Sequence, residues 1–193
     1  MKQRTFYLIR HGRSEGNEDH NVYVTKKDCD IDLTQEGVEQ AKAVGENFKS
    51  WKDSQWDDSI IYVSPYLRTM ETMRHALGPF FKCPVLVDYR IREQCFGVPD
   101  TLEDVAKNWK NYDSNPYYYQ NKGSESHLAV FDRIHSWLDG VASRQRNESN
   151  IIVFTHGHVI NVIATILETT PMHEHPRKGY LRNGAIKRVE VRL

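Results

Sequence analysis

The 193 residues suit one domain, and a 39% hydrophobic content is enough to form a buried core. Lys and Arg number 26 and are balanced by 26 Asp and Glu residues, so the basic excess typical of nucleic-acid-binding proteins is absent. No apolar run approaches the ~20 residues of a membrane span, and the N-terminus lacks the apolar stretch of a signal peptide. We therefore predict one domain over residues 1–193 with neither a nucleic-acid nor a membrane partner.

The chain order of apolar patterns predicts an α/β fold with a mostly parallel sheet, because short β-type runs alternate with helical ones. The predicted strands cover residues 5–9, 59–63, 84–87, 151–154 and 189–193, and the last strand alternates between apolar and polar residues. The predicted helices cover residues 35–51, capped by Thr34; 64–78, opened by Ser64 and Pro65; 101–112; a stretch after Gly123; and 158–167.

The cysteines, Cys29, Cys83 and Cys95, are scattered and odd in number. Their spacing indicates neither a disulfide framework nor a zinc site. We therefore expect reduced thiols and a cytoplasmic location.

The carboxyl ends of the predicted strands carry the chemically capable side chains, and in open α/β sheets ligands bind at those ends. Arg10 and His11 follow the first strand, and His156 and Gly157 follow the fourth. Arg68 lies in the first turn of a helix, and Glu93 follows the third strand.

These residue types suit phosphoryl transfer. Arginine offers a permanently charged fork that matches phosphate oxygens, and a neutral imidazole can attack phosphorus. Nearby arginines disfavour the imidazolium form and should keep His11 neutral. A second histidine, if protonated, could stabilise charge on the transferring phosphoryl group, and a glutamate with a raised pKa could protonate the leaving oxygen. Taken singly, each residue is more often structural.

The ordered motifs resemble those of the histidine phosphatase superfamily, the phosphoglycerate mutase-like proteins. The resemblance begins with LIRHGRSEGN at residues 8–17 and LTQEG at 33–37. It continues with SPYLRTMET at 64–72, RIREQCFG at 90–97 and GSES at 123–126. It closes with FTHGH at 154–158 and RNG at 182–184, and so spans nearly the whole chain.

This resemblance implies a three-layer α/β/α sandwich with one antiparallel edge strand. It implies that His11 is the phosphorylated nucleophile, that Glu93 is the proton donor and that His156 completes the catalytic set. Phosphate is then bound by Arg10, Arg68 and His156, with Asn17 and the Gly157 backbone amide as further pocket groups. The family requires no metal, and we expect no cofactor for this chain. A departure from the common motif is Arg13, where glutamate is frequent.

Two other enzyme classes match single motifs. GRSEG at residues 12–16 fits the nucleophile elbow of serine hydrolases, with Ser14 as nucleophile, but only one strand precedes it. The pairs His156/His158 and His173/His175 could hold a metal, although no acidic residues complete a site by spacing.

Within the family we predict a phosphatase, because the insert that cofactor-dependent mutases carry after the glutamate motif is missing after Gly97. Mutase-type transfer and a non-catalytic phospho-ligand-binding protein remain as alternatives. The substrate could be a small phosphate ester or a phosphoprotein. Residues 101–122 are expected to cover the pocket, and Trp109, Tyr117, Tyr118, Tyr119 and Lys122 could set specificity. The sequence does not indicate an oligomeric state.

Overall fold

The computed structural model of the protein describes residues 3–50, 56–78, 82–97, 101, 103–104, 106–107, 110–111, 117–121, 123–144, 148–171 and 179–192. Its strands are β1 (Gln3–Arg10), β2 (Ser59–Val63), β3 (Val85–Val87), β4 (Asn150–Thr155) and β5 (Ile186–Arg192). Its helices are α1 (Glu15–Glu18), α2 (Val22–Thr25), α3 (Gln35–Ser50), α4 (Leu67–Leu77), α5 (His127–Ala142) and α6 (Gly157–Leu167). Short 3₁₀ turns cover Asp28–Asp30, Trp56–Asp58 and Tyr89–Ile91.

The strands form one sheet in the order β3-β2-β4-β1-β5. β1 pairs in parallel with β4, which pairs in parallel with β2, and β2 pairs in parallel with β3. β5 runs antiparallel to β1 at the other edge. The predicted mixed sheet with one antiparallel edge strand is therefore confirmed.

Alternating side chains divide the core into two layers on opposite faces of the sheet. Phe6 and Leu8 of β1 belong to one apolar cluster, together with residues of α5 and α6. Tyr7 and Ile9 belong to the other cluster, with residues of α3 and α4. Because successive strand residues point to opposite faces, a continuously apolar strand requires cover on both sides. This produces the predicted α/β/α sandwich.

One helix start differs from the prediction. Ser64 and Pro65 were expected to open the second long helix, but α4 begins at Leu67 with Tyr66 at the N-cap position. The Ser64 hydroxyl does not cap the helix, because it lies 2.8 Å from Nε2 of His156. The predicted end of α4 is correct, since Gly78 takes a positive φ of 56° at its C-cap.

The helix predicted over 101–112 is only partly within the described residues. Thr101 and Asp104 exchange the reciprocal hydrogen bonds of the predicted capping box, at 3.0 and 3.2 Å. The apolar face expected from Val105, Trp109 and Tyr112 lies outside the described residues. Within the part of the chain that is described, no helix has the length and apolar character that crossing a bilayer demands.

Candidate active site

A pocket of about 590 Å³ opens at the carboxyl ends of the parallel strands. Its inner wall contains Arg10, His11, Asn17, Arg68, Glu93 and Gly157. Six of the seven residues that the sequence analysis selected therefore line one cavity, although they come from separate parts of the chain. The seventh, His156, is completely buried and does not itself line the pocket.

The imidazole ring of His11 is held by a hydrogen bond at Nδ1, which fixes its tautomer. Its Nδ1 lies 2.7 Å from the carbonyl oxygen of Gly12, and because a carbonyl can only accept, Nδ1 carries the proton. Nε2 is then the unprotonated nitrogen, with a lone pair available. The position of the Gly12 backbone is fixed in turn by Thr72, whose Oγ1 accepts from the Gly12 N–H at 3.0 Å.

The pKa of His11 lies well below its usual range. Burial is the main cause, because it penalises the charged form, and the positive charges of Arg68 and Arg10 act in the same direction. The hydrogen bond to Gly12 opposes them but does not prevail. His11 is therefore neutral in the free protein, as the sequence analysis expected.

The two pocket arginines are oriented by different contacts. Arg10 donates from Nη1 to the carbonyl of Leu181 at 2.7 Å, and its buried Nε has no hydrogen-bond partner among the described residues. Arg68 is 3% exposed and donates from Nη1 to the backbone carbonyl and carboxylate of Asp28, at 2.6 and 2.9 Å. Its guanidinium carbon lies 4.9 Å from the centre of the Tyr66 ring.

Gly157 begins α6 where the helix end meets the pocket. A Cβ at this position would lie 3.2 Å from Nε of Arg10 and 3.1 Å from Cβ of Tyr180. The absence of a side chain therefore lets the arginine lie directly against the helix. The first backbone amides of an eleven-residue helix add positive potential to the same corner of the pocket.

His156 packs against His11, with ring centroids 5.2 Å apart. Its Nε2 is paired with Ser64, whereas its buried Nδ1 has no hydrogen-bond partner. Burial, Arg68 and the proximity of His11 hold the pKa of His156 well below its usual range. His156 is therefore neutral in the free protein, and any stabilisation it offers comes from an N–H dipole.

Glu93 is partly buried, and burial raises the pKa of its carboxyl above the usual range. The backbone N–H of Gln94, which donates to Oε1 at 3.0 Å, and the nearby arginines oppose this rise without cancelling it. Asp28 adds to it through like-charge repulsion. The carboxyl group therefore stays protonated to a higher pH than an exposed glutamate.

Asn17 has a fixed amide orientation. Its Oδ1 accepts from the backbone N–H and hydroxyl of Ser14 and from Nδ2 of Asn183, each at 3.1 Å. Because the groups that face this side of the Asn17 amide are donors, the atom there is the oxygen. The NH₂ group is therefore the half of the amide that can donate to a ligand. Asn183 also donates to the carbonyl of His11 at 3.1 Å.

Ser14 itself does not suit the serine hydrolase alternative. It is 1% exposed, it does not line the pocket and its hydroxyl is donated to Asn17. A nucleophile elbow requires the opposite arrangement, with the hydroxyl presented to substrate.

The metal alternative gains no support from the described residues, in which no three His, Cys, Asp or Glu side chains are grouped to hold an ion. His158 lines the pocket and packs against His127, with ring centroids 4.3 Å apart. His173 and His175 lie outside the described residues.

The segment that was expected to cover the pocket lies only partly within the described residues. Of residues 101–122, those that the structure describes do not line the pocket: Tyr118 is exposed and Tyr117 packs against His127. Trp109 and Lys122 lie outside the described residues. Among the described residues, the outer wall is formed by residues 23–29, including Tyr23 and Asp28, and by Phe96 and Tyr180.

The sequence analysis gave no role in the site to Asp28, Ser64, Thr72 or Asn183. Three of them fall inside the family-like motifs, so their motif positions could have marked them. Asp28 carried no signal, because its contact with Arg68 joins residues 40 positions apart in a segment without a periodic pattern.

The sequence model of one protein family, the histidine phosphatase superfamily (branch 1), matches residues 6–192 of this chain. The chain belongs to this superfamily. Phosphoglycerate mutase-like protein AT74H of Arabidopsis thaliana is 30% identical over 187 residues, covering 86% of this chain and 66% of that protein. Protein AT74 from the same plant is 32% identical over 170 residues, covering 78% of this chain and 53% of that protein. The chain thus spans roughly half to two-thirds of the length of these relatives.

Solved structures share the fold. A mycobacterial glucosyl-3-phosphoglycerate phosphatase, solved with VO3, superimposes with a TM-score of 0.73 at 22% identity, covering 96% of this chain and 92% of that one. YhfR of Bacillus stearothermophilus gives a TM-score of 0.75 at 23% identity, covering 96% and 90%.

Proposed function

We propose that the protein is a phosphatase that hydrolyses phosphate monoesters through a phosphohistidine formed on His11, with no metal and no cofactor. The observation that carries the proposal is the fixed imidazole of His11. Its protonated Nδ1 is paired with the Gly12 carbonyl, so Nε2 is left as a neutral nucleophile in a pocket that also holds Arg10, Arg68 and Glu93.

In the first step, Nε2 of His11 attacks phosphorus and the bond from phosphorus to the ester oxygen breaks. Arg10, Arg68, the NH₂ group of Asn17 and the Gly157 backbone amide hold the phosphoryl oxygens, and neutral His156 supports the charge that develops there. The Glu93 carboxyl gives its proton to the departing oxygen, which leaves as an alcohol.

In the second step, water attacks phosphohistidine and gives a proton to the Glu93 carboxylate. Inorganic phosphate leaves, and both His11 and Glu93 return to their starting forms. The same carboxyl group therefore acts first as acid and then as base, which requires a pKa above that of an exposed glutamate. The direction of the shift at Glu93 meets this requirement.

The substrate is a phosphate ester small enough for a 590 Å³ pocket, or a phosphorylated side chain that enters it. Rings of Tyr23, Tyr66, Phe96 and Tyr180 lie around the phosphate-binding groups and suit a leaving group with apolar surface. The relatives' names support phosphoglycerate mutase-type transfer as the second candidate, in which phospho-His11 passes its phosphate to another hydroxyl instead of water.

The test is hydrolysis of nitrophenyl phosphate in the presence of a chelator by the wild type and His11→Ala. We expect turnover in the wild type, none in the variant, and an acid-labile labelled phosphoenzyme in the wild type only. Activity in a well-folded His11→Ala would contradict the assignment of the nucleophile. Transfer between the hydroxyls of a phosphoglycerate, without phosphate release, would favour the mutase. Binding without turnover would indicate a non-catalytic protein.

The domain extent over residues 1–193 and the cytoplasmic location remain predictions from the sequence alone.

A further inference from the structure

A buried ion pair lies behind Glu93, outside the pocket wall. Arg133 of α5 donates from Nε to Oε1 of Glu125 at 3.1 Å and from Nη2 to Oε2 at 3.3 Å. The two side chains are 10% and 16% exposed. Neither lines the pocket, so neither can touch a substrate. Burying two charges costs desolvation free energy, and such a pair often adds little net stability.

The pair is attached to the backbone on both sides of Glu93. Arg133 donates from Nη2 to the carbonyl oxygen of Glu93 at 3.2 Å and from Nη1 to that of Arg90. Glu125 accepts the backbone N–H of Cys95 on Oε2 at 3.1 Å. The backbones of Glu125 and Cys95 are also joined, at 2.7 Å. The segment that carries the acid is therefore held before, at and after residue 93.

We propose that Arg133 and Glu125 are positioning residues for Glu93, which fix the proton donor relative to the leaving oxygen. This inference rests on the proposed function, in which Glu93 is the acid. The physical reason is that Glu93 lies in a segment without strand or long-helix hydrogen bonds, after a single 3₁₀ turn. A planar guanidinium can donate to two carbonyls and to both oxygens of a carboxylate at once, in fixed directions, whereas a lysine ammonium has only three donors.

The experiment compares two substrates that depend on the acid to different degrees. Nitrophenyl phosphate has a good leaving group and needs little protonation, whereas an alkyl phosphate needs a well-placed proton donor. We expect Arg133→Met to lower kcat/KM for the alkyl phosphate by on the order of 10²-fold, the size of loss that misplacement by about 1 Å can cause. The loss for nitrophenyl phosphate should be several times smaller.

The matched control is Arg90→Ala. The Arg90 side chain also ties this segment to α5, because Nη1 donates to the Ser136 carbonyl at 2.8 Å, and its Nη2 donates to Asp88 within the segment at 2.7 Å. It contacts neither Glu93 nor Glu125. The ratio of the two rates in this control should equal that of the wild type. Glu125→Gln keeps the side-chain volume and provides a second variant should Arg133→Met fold poorly. We expect the same selective loss in it.

A double variant distinguishes this inference from the proposed function. In a Glu93→Gln background, Arg133→Met should cause no further selective loss, because no acid remains to be placed. Equal losses on both substrates in the Arg133 and Glu125 variants, with Glu93→Gln selective, would overturn the positioning role alone. A Glu93→Gln enzyme without selectivity would overturn the acid assignment and the inference together.

Discussion

At the residue scale, the pocket favours the neutral form of a base and the protonated form of an acid at the same time. The pKa of His11 is lowered by burial and by two arginines, whereas that of Glu93 is raised by burial despite the same arginines. Desolvation disfavours the charged form of either group, so one buried pocket moves the two pKa values in opposite directions. Both pKa shifts therefore favour the protonation states that the proposed first step requires.

Asp28 allows this balance to be tested. Its negative charge contributes to the raised pKa of Glu93, and Asn at this position keeps an oxygen that can accept from Arg68. For an alkyl phosphate, kcat/KM should fall as pH rises through the pKa of Glu93, since the acid form is lost. Asp28→Asn should move this alkaline limb to lower pH. A shift to higher pH in the measured rate profile would contradict the role of Asp28.

Sequence could identify the groups at strand ends but not the contacts that arrange them. His11, His156 and Gly157 directly follow buried parallel strands, so the sheet alone brings them together. The Asp28–Arg68 and Arg133–Glu93 contacts each join residues 40 positions apart, one on a helix and the other in a connecting segment. Neither contact leaves a periodic signal in the sequence.

At the element scale, α3 and α4 approach closely at Gly45. A Cβ there would lie 2.1 Å from the carbonyl oxygen of Ala76, and because that atom is backbone, the two helices would have to separate. Gly45→Ala should therefore lower the free energy of unfolding by about 1–3 kcal/mol. Urea unfolding measures the change. Because Gly45 does not line the pocket, kcat of the folded variant should stay unchanged.

The control for this prediction is Gly140→Ala in α5. A Cβ at Gly140 would meet only the Arg90 side chain, at 3.5 Å, which is ordinary contact. This substitution should be neutral or stabilise the protein by about 0.5–1 kcal/mol, since alanine restricts the unfolded chain more than glycine. Equal effects at the two positions would show that helix separation has no cost.

The observed element boundaries agree with the predicted ones where they depend only on local interactions. β2 occupies the predicted residues 59–63, and α4 ends at the predicted glycine. The start of α4 was predicted wrongly because Ser64 is a good capping residue in isolation. Its hydroxyl is used by His156, which is 92 residues away, so a tertiary contact overrides the local preference.

At the scale of the whole molecule, two histidines with lowered pKa values are buried in the protein at the ends of β1 and β4. Their burial predicts how the free energy of unfolding depends on pH. In the unfolded chain histidines take up protons near pH 6.5, whereas folded His11 and His156 stay neutral to much lower pH. As pH falls from 7 to 5, the unfolded state binds more protons and the folded state becomes less stable. Each histidine should contribute up to about 1.4 kcal/mol per pH unit.

Glu93 acts in the opposite direction above the pKa of an unfolded glutamate, about 4.3, and this makes the prediction specific. Because the pKa of Glu93 is raised on folding, the folded state keeps a proton that the unfolded state has lost. The contribution of Glu93 to stability therefore declines as pH rises through its folded pKa. In urea unfolding between pH 7 and 5, His11→Gln and His156→Gln should flatten the loss of stability on acidification, and Glu93→Gln should steepen it. If all three variants gave the slope of the wild type, the pocket groups would titrate alike in the folded and unfolded states, and the proposed protonation states would be wrong.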